Sequence, residues 1–170
     1  MAFDAFLKLD GIEGESLDHK HKGEIEVLSF SWGASNPTTI GSATGGAGAG
    51  KIKFNEFQIV KHMDTASPLI FQKICEGSRI PTGLFTLTDR ATGLGFYKVQ
   101  FQDVFITNVQ PASSPGGNSA LEQFSFAFGS VSITATDTRG NSTSISCGIN
   151  TDGNLGHEPQ PHQHQDPERR

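Results

Sequence analysis

The stretch 24–35 reads EIEVLSFSWGAS, and its apolar residues alternate with polar ones as in a β-strand. The alternation changes phase halfway along. One face carries Ile25 and Val27, and the other carries Leu28, Phe30 and Trp32. A strand that covers one side of a core keeps one phase, because a slip of one residue moves every side chain to the opposite face. The change of phase therefore predicts a β-bulge or a strand buried on both faces.

Two other stretches change phase in the same way. In residues 51–63 the apolar positions are 52 and 54 and then, on the other face, 57 and 59. In residues 97–109 they are 97, 99 and 101 and then 104 and 106. The composition agrees with β-structure, since the chain has 20 Gly and 13 Phe, and only 18% of its residues are charged. These patterns predict sheets whose strands are shared or covered on both sides.

One segment has the pattern of a short helix. Ser67 is predicted as its N-cap and Pro68 as its first helical residue, where the missing N–H costs nothing. Gly77 is placed to end the helix in the left-handed conformation. Apolar residues recur at helical spacing at positions 70, 71, 74 and 75. The predicted fold is mainly β: a small β-barrel of two packed sheets with one short α-helix and a long, extended Gly-rich loop.

Length and charge limit the possible functions. The 170 residues predict one folded domain, 1–150, followed by a disordered His/Gln/Pro-rich tail, 151–170, because residues 157–167 contain no apolar side chain. A net charge of −5 disfavours a nucleic-acid binder, and no apolar run is long enough to span a membrane. Residues 1–8 lack the pattern of a secretory signal peptide, so we expect synthesis in the cytoplasm and leave open a route of export that reads no such signal.

The sequence motifs that could bind phosphate or metal, or provide a reactive thiol, lack the neighbouring residues that such sites need. Gly45 to Lys51 match the G-x-x-x-x-G-K core of a phosphate-binding loop, but Ile52 follows where Ser or Thr should hold Mg²⁺, and a strand pattern follows instead of a helix. The histidines lack the spacing of a structural metal site. Cys75 lies on the apolar face of the predicted helix, which favours an inert thiol. We predict no catalytic, cofactor or metal site.

Nearly all of the predicted domain resembles the Hcp family, the haemolysin-coregulated proteins, which are tube components of the bacterial type VI secretion system. The similarity is carried by residues 1–11, 14–16, 21–23 and 25–33, by the Gly-rich loop, and more loosely by 64–69, 75–77 and 103–109. The run near the N-terminus is the specific part.

The resemblance implies the rest of the functional prediction. It implies a β-barrel with one helix that forms homo-hexameric rings, and rings that stack head to tail into a tube. The tube lies within a contractile sheath, beneath a spike, and is ejected from the cell on contraction. The implied partners are further copies of the chain, sheath and spike proteins, and effectors carried in the lumen. No cofactor and no enzymatic activity are implied, and the protein is expected in the bacterial cytoplasm and, after export, outside the cell.

Two groups of residues are candidates for the tube functions. Ser29 and Ser31 lie opposite the face of Phe30 and Trp32, and our hypothesis places them toward the lumen, where small polar groups leave room for cargo. The long loop has few anchoring side chains and is predicted to become ordered against the next ring. Its candidate residues are Asn36, Thr38, Thr39, Ile40, Gly45, Gly46, Gly48, Gly50 and Lys51.

Two other functions remain open at this point. One is a secreted β-sandwich binding module without catalysis, although one Trp and one Tyr provide few flat surfaces for stacking on a sugar. The other is a specialised Hcp protein that carries an effector through its C-terminal tail. A fused enzyme domain is disfavoured, since a tail of about 20 residues is too short to form one.

Overall fold

The computed structural model describes residues 2–37, 52–113, 116–117 and 119–148, which form strands and one helix. The helix α1 is Ala66–Glu76. The strands are β1 Phe3–Leu9, β2 Ile25–Val27, β3 Ser29–Ser31, β4 Ala34–Ser35, β5 Lys53–Phe54, β6 Phe57–His62, β7 Ile80–Asp89, β8 Gly95–Ser113, β9 Ala120–Ala127, β10 Ser130–Thr136 and β11 Ser142–Gly148. The prediction of a mainly β fold with one short helix is confirmed.

Nine of the strands form two antiparallel sheets that share β8, and β4 and β5 form a separate antiparallel pair. The first half of β8 pairs with β7 and β10, and its second half pairs with β9. Sheet A therefore runs β2-β1-β7-β8-β10-β11, and sheet B runs β8-β9-β6-β3. β2 and β3 are consecutive in the chain, with Leu28 between them, so the chain itself links the far ends of the two sheets. Pairing among the described strands does not complete a closed barrel.

The core between the sheets is a cluster of aromatic rings centred on Phe57. Phe57 is fully buried on β6, at the middle of sheet B. Ring centroids from both sheets lie 5.1 to 6.3 Å from its own: Phe30, Trp32, Phe85, Phe101 and Phe126. Stacked and edge-on pairs at such separations are favourable beyond the area that they bury. Many of the chain's phenylalanines thus bind one sheet to the other.

The phase change in β8 falls at Asp103. Phe101 and Val104 are both fully buried, although they are three positions apart and regular alternation would place them on opposite faces. Asp103 has φ of 56°, and the Gly129 N–H donates to the carbonyls of both Gln102 and Asp103, at 2.9 and 3.2 Å. The register is the same on either side of this residue, with Gln102 opposite Ser130 and Phe105 opposite Ala127, so the left-handed conformation of Asp103 and not an inserted residue shifts the phase. This kink lets one strand direct apolar side chains inward in both sheets.

The phase change at 24–35 is also confirmed, but Leu28 does not lie where the alternation predicted. Ile25 and Val27 are buried, and Phe30 and Trp32 pack on the core. Leu28 is 51% exposed instead of sharing their face. Its N–H donates to the Val60 carbonyl at 2.8 Å, which holds this residue at the crossing from sheet A to sheet B. Because Leu28 points outward between β2 and β3, the buried positions shift by one residue from Ile25 and Val27 to Phe30 and Trp32.

The helix begins two residues earlier than predicted, so Ser67 is not its N-cap. Thr65 is the N-cap residue and makes no side-chain cap, and Pro68 is the third helical residue. Asp64 takes the capping role, because its Oδ1 accepts from the Ala66 N–H at 3.0 Å. The C-terminal prediction is confirmed: Gly77 has φ of 61° and ends the helix.

The outer face of α1 is more apolar than predicted. Ile70 is buried, whereas Phe71 and Cys75 are exposed. Cys75 therefore does not face the core as its helical position predicted. Helical spacing places residues 70, 71, 74 and 75 on one broad stripe, but α1 lies against β8 and the core with only part of that stripe.

A buried ionic cluster holds the start of α1. The Lys61 side chain is 1% exposed, and its Nζ lies 3.0 Å from Glu122 Oε2 and 2.8 Å from Asp64 Oδ1. It also donates to the Ser67 hydroxyl at 3.1 Å, and that hydroxyl donates to Glu122 at 2.6 Å. A buried ammonium is tolerated only when its partners satisfy it in this way. The cluster joins β6, β9 and the first turn of α1.

We expect Lys61→Met to lower the free energy of unfolding by about 3–5 kcal/mol, because it leaves two buried or half-buried carboxylates without their cation. Denaturant unfolding measures the change. Lys8→Met is the matched control, since Lys8 is exposed on β1, and it should change stability by less than about 0.5 kcal/mol. Equal effects of the two substitutions would contradict a structural role for the cluster.

The turn between β10 and β11 is built around Asp137. Asp137 Oδ1 accepts from the backbone N–H groups of Arg139 and Asn141 at 2.8 and 2.9 Å, and Oδ2 accepts from the Asn141 side chain at 3.0 Å. The Asn141 side chain is the largest cause of a lowered pKa of Asp137, followed by the Asn141 backbone. These bonds hold the hairpin turn that joins the two strands.

Because the folded pKa of Asp137 lies below its unfolded value, the carboxylate stabilises the turn above the unfolded pKa, and this contribution is lost as pH falls through the folded pKa. Asn141→Ala should raise the pKa of Asp137 toward its ordinary value, as followed by NMR titration of its carboxyl group. Arg139→Gln keeps the backbone donor and should leave the titration nearly unchanged. A larger change in the pKa of Asp137 in the Arg139 variant than in the Asn141 variant would contradict the assignment of the effect to the Asn141 side chain.

Candidate functional site: the outward face of sheet B

Ser29 and Ser31 are exposed on β3, on the opposite side of the strand from the core. Phe30, between them, packs on the aromatic cluster. The register of β3 with β6 places Ser29 opposite Val60 and Ser31 opposite Gln58. Both predicted residues therefore lie together on the outward face of sheet B.

The strand register extends this face across sheet B. Residues that are directly opposite in an antiparallel pair share a face. One row continues from Ser31 and Gln58 to Ser125 and Asn108, and the next continues from Ser29 and Val60 to Gln123 and Gln110. We call these residues the amide face: Ser29, Ser31, Gln58, Val60, Asn108, Gln110, Gln123 and Ser125.

The amide face has hydrogen-bonding groups but no charge. Each Asn or Gln side chain offers both donors and acceptors, and each Ser hydroxyl offers one donor and acceptor lone pairs. Gln58, Asn108 and Gln110 are exposed, Gln123 is half-buried, and Ser125 is buried between its neighbours. Such a surface can bind water or a polar protein segment through hydrogen bonds, with little dependence on the charge of the partner.

Groups that can carry charge lie at the ends of this face. His62 is exposed at the end of β6, opposite Leu121 in the register. At the other end, Glu56 precedes β6, and its Oε2 accepts from the Thr107 hydroxyl at 2.9 Å. The uncharged rows are thus confined to the middle of sheet B.

Sequence reasoning found the two serines but missed the four amides. Gln58 stands between buried Phe57 and Ile59, so the alternation alone marked it as outward. What the alternation could not provide was the neighbour of each strand. Only the pairing of β6 with both β3 and β9 brings the serines beside the amides.

The predicted loop residues lie mostly outside the described part of the chain. Asn36 is described and exposed, directly after β4. The described residues on either side of the predicted loop include the short β4–β5 pair, with Ala34 opposite Phe54. The other candidate residues fall outside the description: Thr38, Thr39, Ile40, Gly45, Gly46, Gly48, Gly50 and Lys51.

Two further observations concern metals and membranes. Within residues 2–37, 52–113 and 119–148, no three His, Cys, Asp or Glu side chains lie close enough together to hold a metal ion. No helix in the part of the chain that the structure describes is long and apolar enough to cross a bilayer.

The fold and the sequence match proteins of the type VI secretion system. A crystal structure of Hcp1 from Salmonella typhimurium superposes with a TM-score of 0.74 at 32% identity, covering 91% of this chain and 99% of that one. A structure described as a type six secretion system protein gives a TM-score of 0.80 at 31% identity, covering 91% and 100%. Protein hcp1 of Pseudomonas aeruginosa is 29% identical over 78% of this chain and 83% of its own length.

These matches define the class as a type VI secretion protein. The family model for the type VI secretion system effector Hcp matches residues 6–134, which is most of the chain. The chain therefore belongs to the Hcp family, and the resemblance noted from the sequence is confirmed. Members of this family are structural tube proteins of the secretion system and not enzymes.

Proposed function

We propose that this protein forms hexameric rings that stack head to tail into the inner tube of the secretion machine, and that sheath contraction ejects this tube. Membership of the Hcp family supports the proposal. The observation that carries the lumen assignment is the amide face, a continuous uncharged surface on one side of the domain. A wall of this kind is hydrated and holds passing protein only through local hydrogen bonds.

In this proposal the amide face lines the lumen. Ser29 and Ser31 are small, so they leave space near β3, and the amides of β6, β8 and β9 offer donors and acceptors to cargo. The absence of charge from these rows gives no long-range repulsion toward acidic or basic effectors. Effectors of either sign of charge could therefore be carried.

The remaining partners and the compartments follow from the same proposal. The outside of the tube contacts sheath proteins and its end contacts the spike. The protein is made in the bacterial cytoplasm and reaches the extracellular space or a target cell by ejection. We also propose that residues 1–150 form the tube domain and that 151–170 are a tail outside it, since the family match ends at residue 134.

Ser31→Arg should leave rings intact and reduce the retention of co-purifying effectors by about tenfold, because a long cationic side chain fills the space beside Gln58 and Ser125. Thr82→Arg is the matched control, since Thr82 is an exposed hydroxyl residue on sheet A. Quantitative mass spectrometry of proteins that co-purify with each variant provides the measurement. The lumen assignment fails if the two variants retain the same proteins in equal amounts.

Deleting residues 41–48 should leave rings intact and reduce tube assembly severalfold, because the proposed contact of the loop with the next ring is lost. Negative-stain imaging counts rings and tubes in the wild type and in the deletion. A variant with serine at all eight of these positions separates loop length from loop sequence. Tubes at normal yield from the deletion would make the loop a connector only, and a wild type that is only monomeric would overturn the ring itself.

A further inference from the structure

Most sheet edges in the described chain have a feature that blocks further pairing. β3 is only three residues long. The edge at β2 is covered by the turn that precedes it, whose Ser16 N–H donates to the carbonyl of Glu24, next to β2, at 3.0 Å. The second half of β8 contains Pro111, and its register is irregular between Ile106 and Asn108. Short, covered, bulged or proline-bearing edges resist unwanted strand addition.

The edge of sheet A at β11 has none of these features. β11 has seven residues without charge or proline, and its register with β10 is continuous from Ser142 to Gly148. Among the described strands it pairs only with β10. An uncharged edge of this length with an unbroken register is a template for another strand.

An apolar row in sheet A stops unfinished at this edge. Directly opposite residues continue across the sheet in the order Ile25, Leu7, Phe85, Val99, Ile133 and Ile145. The first four are fully buried, and Ile133 is half-buried. Ile145, the last, is 55% exposed. The next strand would bury Ile145 if it placed an apolar side chain opposite.

The other face of β11 carries a ladder of hydroxyl groups. The Thr134 and Ser144 hydroxyls lie 2.8 Å apart, as do those of Thr136 and Ser142. The Ser146 hydroxyl donates to that of Ser132 at 3.2 Å. An added strand that suits this face has small hydroxyl side chains at alternate positions.

We propose that β11 pairs antiparallel with β11 of a second copy of this chain. The segment 142–148 meets both requirements, since it alternates hydroxyl residues with Thr143, Ile145 and Cys147. Antiparallel pairing centred on Ile145 sets Ile145 against Ile145 and Ser144 against Ser146. The apolar row then continues into the partner sheet, and no like charges meet.

This contact is isologous, because the same segment serves both copies. Two copies use up both β11 edges, so no third copy can join through this contact. The head-to-tail contacts proposed for rings and tubes, in contrast, leave a free surface for each further copy until the assembly closes or ends. It requires neither the lumen nor ring stacking, so its test is independent of the proposed tube function.

Cross-linking of the full-length chain tests the pairing directly. In a Cys75→Ser, Cys147→Ala background, Ile145→Cys should give mostly covalent dimers with a short bismaleimide, because opposite residues have Cβ atoms about 5 Å apart. Leu17→Cys in the same background is the control, since Leu17 is 88% exposed and distant in sequence from β11. Circular dichroism confirms that each variant folds. The proposal is overturned if the fraction of covalent dimer from Ile145→Cys is no greater than the fraction from the control.

A charge on β11 provides a second, reversible test. Ile145→Lys should raise the dissociation constant of the two-copy contact at least about tenfold, because it sets two ammonium groups opposite each other and removes the isoleucine contact. Leu17→Lys should leave the constant unchanged. Sedimentation velocity over a dilution series measures both. Identical mass distributions for wild type, Ile145→Lys and Leu17→Lys would overturn the pairing.

Discussion

The packing of aromatic rings around Phe57 is the interaction on which the rest of this structure depends. Phe57 comes from sheet B, and Phe85 and Phe101 reach it from sheet A with centroids 5.1 and 5.2 Å away. Removing one such ring from a packed core typically costs about 3–5 kcal/mol. The many phenylalanines of the chain follow from this arrangement, because the two sheets are joined by side chains large enough to meet between them.

The second constraint is that one strand serves both sheets. β8 can contribute Phe101 to sheet A and Ile106 to sheet B only because Asp103 takes a left-handed conformation between them. Glycine suits position 129 opposite, since a Cβ there would lie in close contact, 3.1 Å from the Asp103 Cβ. The crossing at Leu28 does the same for β2 and β3. These two irregular points let a short chain enclose its core with few strands.

Charge is distributed in an unusual way by this fold. The ammonium of Lys61 is buried at the start of α1, while the middle of the outward face of sheet B is uncharged. The first placement orders the helix through carboxylates from two other segments. The second leaves a surface whose interactions are short-ranged. It is this second placement on which the proposed lumen wall rests.

The sequence by itself determined the mainly β fold, the phase changes in residues 24–35 and in β8, and the C-terminus of the helix at Gly77, because these depend on local periodicity and backbone preference. It also pointed to the Hcp family and to Ser29 and Ser31. Only the tertiary structure decided where the helix begins, because the Ser67 hydroxyl donates to Glu122, which is distant in sequence, instead of capping the helix. The same holds for the exposure of Leu28 and for the amide face. Alternation states which residues share one face of a strand, but the neighbours of each strand are chosen by packing across the whole core.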